Sequence, residues 1–111
     1  MKRNYIKLVK DPKAKNITFE TFVTPEFIPL RKVVEASALK KASKDSEADD
    51  MEIFVTMADF VSDIYNRQFT VDDILDRLHA PDAMEELQQQ VEFIAQGHMS
   101  DERKKELAKM V

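Results

Sequence analysis

The sequence predicts an α+β fold: an N-terminal β-hairpin followed by a mostly antiparallel array of about four helices. Three observations predict it. Period-two alternation of apolar residues is confined to the first 24 residues, helical spacing takes over from about residue 30, and prolines and a glycine stand at the seams.

Tyr5–Val9 is an apolar-rich run and reads as the first strand. Residues 16–23 form the second: Ile17, Phe19, Thr21 and Val23 alternate with Thr18 and Glu20, as in a strand with one buried face. Asp11 and Pro12 mark the turn between them, because proline fixes its own φ and restricts the residue before it. A two-stranded ribbon is marginal alone in water, so a helix or another subunit must cover it.

Pro25 and Pro29 bracket the entry to a first helix at about 30–44, whose apolar stripe reads as Leu30, Val33, Val34 and Ala38, with Leu39 beside it. Residues 44–50 are polar and form a connection, with Ser46 and Asp49, or Asp49 and Glu52, as capping pairs. The next helix carries Ile53, Phe54, Met57, Phe60, Val61, Ile64 and Tyr65 at helical spacing and weakens at Asn66. Thr70 and Asp73 form a capping signature for a short helix with Val71, Ile74, Leu75 and Leu78 inward. Pro81 interrupts, and the last firm helix runs 82–96 with Met84, Leu87, Val91, Ile94 and Ala95 on one side. Gly97 reads as its left-handed terminator. Residues 1–97 therefore read as one domain, with hairpin 1–24 and helices 25–97. Residues 98–111 are a charged tail, either flexible or helical through Leu107 and Met110.

A chain of 111 residues buries about 65% of its unfolded surface, enough for one modest core. A net charge of −4 with interspersed signs argues against a nucleic-acid partner. The absence of cysteine excludes disulfides and thiolate metal sites. No apolar run suits a membrane span or an export signal, so the compartment of synthesis is expected. Gly97 is the single glycine, which excludes the glycine-rich phosphate loops of common nucleotide-binding enzymes.

The densest acidic group, Asp72, Asp73 and Asp76, invites a metal site or acid–base pair. A helix N-terminus accounts for it better, because the macrodipole favours carboxylates in the first turn. His79 and His98 lack triad spacing and read as helix-end or surface residues. No catalytic residue, cofactor or metal is expected. What remains is apolar surface for other polypeptides. The candidate contact residues are Phe54, Met57, Tyr65, Phe69 and Phe93 from the helices and Ile6 and Phe22 from the strands.

The segments FVSDIYNRQFTVDD (60–73), LHAPDAM (78–84), FIAQG (93–97) and TPEF (24–27) resemble the tail assembly chaperones of long-tailed bacteriophages of Gram-positive hosts. The likeness covers about residues 17–97 and lies in caps and core positions. It implies a non-virion protein of the host cytoplasm that coats the tape measure protein, keeps it soluble, and helps recruit tail tube subunits. It also implies self-association and a longer frameshifted product that engages the tail tube protein, with Lys104 and Lys105 as a candidate slip site. A second reading, a small helical regulatory or adaptor protein (an antirepressor or transcription-linked factor), shares the size, helicity and acidity.

Overall fold

The computed structural model describes residues 2–44, 50–97 and 99–110. Two antiparallel strands, β1 (Tyr5–Val9) and β2 (Phe19–Val23), precede five helices: α1 (Arg31–Lys44), α2 (Asp50–Ile64), α3 (Val71–Arg77), α4 (Ala80–Gln96) and α5 (Asp101–Met110). The α+β architecture is as expected, with one helix more than anticipated. The capping pairs around Ser46 and Asp49, and His98, lie outside the described residues.

The register decides which face of the hairpin is buried. Ile6 pairs with Phe22 and Leu8 with Glu20, so these four share one face. Ile6 and Leu8 are fully buried, and Phe22 packs on Phe69 with ring centroids 4.9 Å apart. The expectation that Ile17, Phe19, Thr21 and Val23 form the buried face is therefore reversed. Ile17 and Phe19 are 52% and 57% exposed. The period was right; pairing with β1 chose the other side.

The first helix is corrected in the same way. Its inner face is Val33, Ala36 and Leu39, with Ala36 fully buried where α1 packs against α2 and α4. Leu30 and Val34 are 80% and 69% exposed, and Ala38 is exposed too. Salt bridges to the neighbouring helices accompany this rotation: Lys32 pairs with Asp63 of α2, and Lys40 with Glu92 of α4 at 2.9 Å.

The helix ends follow local chemistry. Thr70 Oγ1 accepts from the Asp73 N–H at 3.0 Å while Asp73 accepts from the Thr70 N–H at 2.9 Å, a reciprocal box that satisfies two otherwise orphaned donors. That bonding holds the Asp73 carboxyl below its ordinary pKa. Asn66 and Arg67, both in the left-handed region, turn the chain out of α2, and the Arg67 N–H reaches back to the Ser62 carbonyl at 2.9 Å. Helix α4 starts at Ala80, not at 82: Pro81 sits in its first turn, where no N–H is needed. His79 is its N-cap residue but makes no side-chain cap bond. Gly97 ends α4 at φ 65° and donates its N–H to the Phe93 carbonyl at 2.8 Å, as expected. Leu75 and Met84, expected inward, are 53% and 36% exposed.

Candidate protein-binding surfaces

The core consumes most of the apolar residues that the sequence offered for binding. Ile6, Met57, Tyr65, Phe69 and Phe93 are all at most 4% exposed, and Phe22 and Phe54 are half-buried against the same cluster. Two of the seven, Phe22 and Phe54, thus retain a partly accessible side chain in the single chain. Phe93 keeps a different role: with Ile94 it lines the floor of an open groove.

That groove, about 440 Å³, lies where the segment before α1 meets the end of α4. Ile28, Pro29 and Val33 line it with Phe93 and Ile94, and Lys2 and Glu26 stand at the rim. Phe27 and Leu30 also line it, 66% and 80% exposed, and Val34, 69% exposed, follows Leu30 one turn along α1. Pro25 and Pro29 keep the approach out of helical geometry, so Phe27 is presented on an irregular segment. Leu30 precedes the helix, and Val34 and Ala38 continue its line one and two turns on. An apolar ridge beside an apolar groove, edged by one cation and one carboxylate, has the chemistry to accept another polypeptide.

A second groove runs between α1 and α2 over Ala38, Leu39, Ala42 and Phe60, with Glu35, Asp59 and Asp63 along it. Its carboxylates are paired: Asp63 and Glu35 hold Lys32, raising its pKa, and Asp59 holds Arg67 at 2.9 Å.

The best-built polar constellation is structural. Gln90 is fully buried; its Oε1 accepts from Tyr65 Oη at 2.8 Å and from Asn4 Nδ2 at 3.2 Å, and its Nε2 donates to the Tyr5 carbonyl at 2.8 Å. Arg103 of α5 reaches into the same cluster. It donates to Asn4 Oδ1 at 2.7 Å, to Glu86 at 2.7 and 3.2 Å and to the Tyr5 carbonyl, and its guanidinium lies 4.3 Å from the Tyr5 ring centroid. Glu106 completes the attachment by accepting from Tyr5 Oη at 2.7 Å and pairing with Lys7. Burial and the bond to Glu106 push the Tyr5 pKa up to about 12, and burial raises that of Tyr65. Lys7 and Tyr5 hold Glu106 below the ordinary carboxylate range. Helix α5, which the sequence left between flexible and helical, is thus fastened through polar side chains to the hairpin and α4. A signal for this was present: Gln90 lies in the apolar register of Leu87, Val91 and Ile94, where a polar residue implies a buried partner.

Among the described residues, no group of three or more acidic, histidine or cysteine side chains could hold a metal ion. No helix there is long and apolar enough to cross a membrane.

A family model described as phage tail chaperone protein matches residues 1–111. The chain belongs to the phage tail chaperone family. No curated protein and no solved structure matches the chain. Membership makes this a non-enzymatic tail chaperone whose partners are tail proteins, and the regulatory-adaptor reading gives way to it. Of the acidic cluster at α3, Asp73 serves the helix cap.

Proposed function

We propose that this tail chaperone binds the tape measure protein of a long-tailed phage in the cytoplasm of a Gram-positive host and stays out of the mature virion. Its task there is to cover apolar helical stripes until tail tube subunits assemble. The observation that carries this reading is the ridge of Phe27, Leu30 and Val34 beside the Phe93–Ile94 groove. An amphipathic helix lying in that groove meets i, i+3, i+4 anchors with apolar walls, a recurrent mode of reversible recognition. Phe22 and Phe54 remain peripheral contact candidates. Ile6, Met57, Tyr65 and Phe69 act only by supporting the fold that presents the ridge.

Self-association and a longer frameshifted product belong to the same proposal. A slip at Lys104 and Lys105 would fall inside α5 and replace the residues from Glu106 onward. The contacts of Glu106 with Tyr5 and Lys7 would then be missing from the longer form, freeing its extension to engage the tail tube protein. A coding sequence without an adenine-rich run there, or without an overlapping frame, would end that part of the proposal.

Co-expression tests the main reading. The tape measure protein should move from the insoluble to the soluble fraction when the wild-type chain is present, and should stay insoluble with Leu30→Glu/Val34→Glu. Rescue by the double variant would refute the ridge as the client site.

A further inference from the structure

The edge of β1 is largely engaged by side chains from the helices, whereas that of β2 is largely open. Antiparallel pairs alternate between residues that bond across the ladder and residues whose peptide groups face away. The Thr24 N–H bonds to the Asn4 carbonyl and the Lys10 N–H to the Thr18 carbonyl, each at 2.9 Å. With the register, this puts the even-numbered residues inward and leaves Tyr5, Lys7 and Val9 of β1, and Phe19, Thr21 and Val23 of β2, facing out. On β1 the outward carbonyl of Tyr5 accepts from Gln90 and Arg103, and that of Val9 from Arg77 Nε at 2.7 Å. On β2 the Val23 carbonyl accepts from Gln68 Nε2 at 2.9 Å. The outward main-chain groups of Phe19 and Thr21 meet no partner among the described residues, and both residues are exposed. An edge of this kind is a template for another strand.

We propose that the open edge pairs, antiparallel and about a twofold axis at Phe19, with the same edge of a second copy of this chain. The product is a four-stranded sheet in the order β1–β2–β2–β1. A twofold interface must be complementary to itself, and outward-facing residues must meet outward-facing residues. That leaves three places for the axis within residues 19–21. An axis at Glu20 opposes two carboxylates directly, which is unfavourable. An axis at Thr21 brings Phe19 against Val23, whose carbonyl already holds Gln68. An axis at Phe19 opposes Phe19 to Phe19 and Ile17 to Thr21, and sets Glu20 beside Thr18, whose hydroxyl can donate to it. No like charges meet, and Ile17 and Phe19, 52% and 57% exposed in the single chain, become covered. This inference rests on the self-association proposed above, to which it gives a geometry; the edge is distinct from the α1 ridge, so its failure would leave client binding untouched.

Sedimentation velocity over a concentration series of the full chain, paired with residue-resolved amide hydrogen exchange, tests it. The expected result is a monomer–dimer equilibrium in which the Phe19 and Thr21 amides exchange about tenfold more slowly in concentrated than in dilute samples. Phe19→Lys and Thr21→Lys should each remain monomeric with an unchanged helical spectrum, while Leu30→Glu should dimerise like wild type. The proposal is overturned by a wild-type chain monomeric at all concentrations reached. It is equally overturned by an oligomer that both lysine variants still form, or by one that leaves the two amides unprotected.

Discussion

Replacing Gln90 by leucine removes the acceptor at the centre of the buried network while keeping a side chain of similar length. Tyr65 Oη and Asn4 Nδ2, bonded to Gln90 Oε1 at 2.8 and 3.2 Å, lose that acceptor inside the core. The Tyr5 carbonyl keeps Arg103 as a donor. Each orphaned buried donor costs about 1–3 kcal/mol, and the better burial of leucine offsets part of the sum. The expected net loss is about 2–4 kcal/mol, a large share of the roughly 5–15 kcal/mol typical of a small domain. The thermal midpoint should fall on the order of 10–20 °C. Urea unfolding followed by circular dichroism measures the loss directly, and Tyr65→Phe in the Gln90→Leu background should recover about 1 kcal/mol by deleting one orphaned hydroxyl. A Gln90→Leu chain as stable as wild type, with no coupling to Tyr65, would show that the network is dispensable.

Thr70→Ala removes the hydroxyl that accepts from the Asp73 N–H, one half of the capping box, and should cost about 1 kcal/mol in chemical unfolding. The attachment of α5 should depend on pH at both extremes. Glu106 has a lowered pKa when folded, so its contribution is present above the unfolded carboxylate value of about 4.3 and is lost as pH falls through the folded value. Amide exchange in α5 should therefore accelerate selectively below about pH 4, and Glu106→Gln should flatten that response. Tyr5 titrates in the opposite sense: its pKa is raised to about 12, so its contribution holds below the ordinary value of about 10 and is lost as pH climbs through 12. Both tyrosines are held above the ordinary range, so tyrosinate absorbance should develop late, and Tyr5→Phe should remove the component near pH 12 while leaving that of Tyr65.

Features determined by neighbours in sequence were legible. The bounds of β1, the Thr70–Asp73 box and the left-handed end at Gly97 each depend on a few adjacent residues, and all three stand as expected. Features determined by distant partners were not. Period-two alternation in β2 shows that the strand has two unlike faces, but only pairing of Ile6 with Phe22 reveals which one meets the core. Leu30, Val34 and Ala38 have the spacing of a core stripe, yet α1 presents Ala36 to its neighbours and leaves that stripe in solvent. The same reversal hid the candidate site: the residues chosen for binding by their size were the ones needed for the core, while the exposed ridge read as interior. Helix α5 was ambiguous because its attachment is polar, through Arg103 and Glu106, and leaves only a faint apolar pattern.

The central claim is that the outward side of α1 and the segment before it bind a helical client. Isothermal calorimetry of the purified chain with tape measure helical segments tests this most directly. Burying an exposed leucine or valine side chain contributes about 1.5–3 kcal/mol when complete, so Leu30→Ala or Val34→Ala should each weaken binding roughly tenfold, with the fold intact. Affinity that is unchanged by either substitution, or a chain that takes up no tape measure segment, would contradict the account.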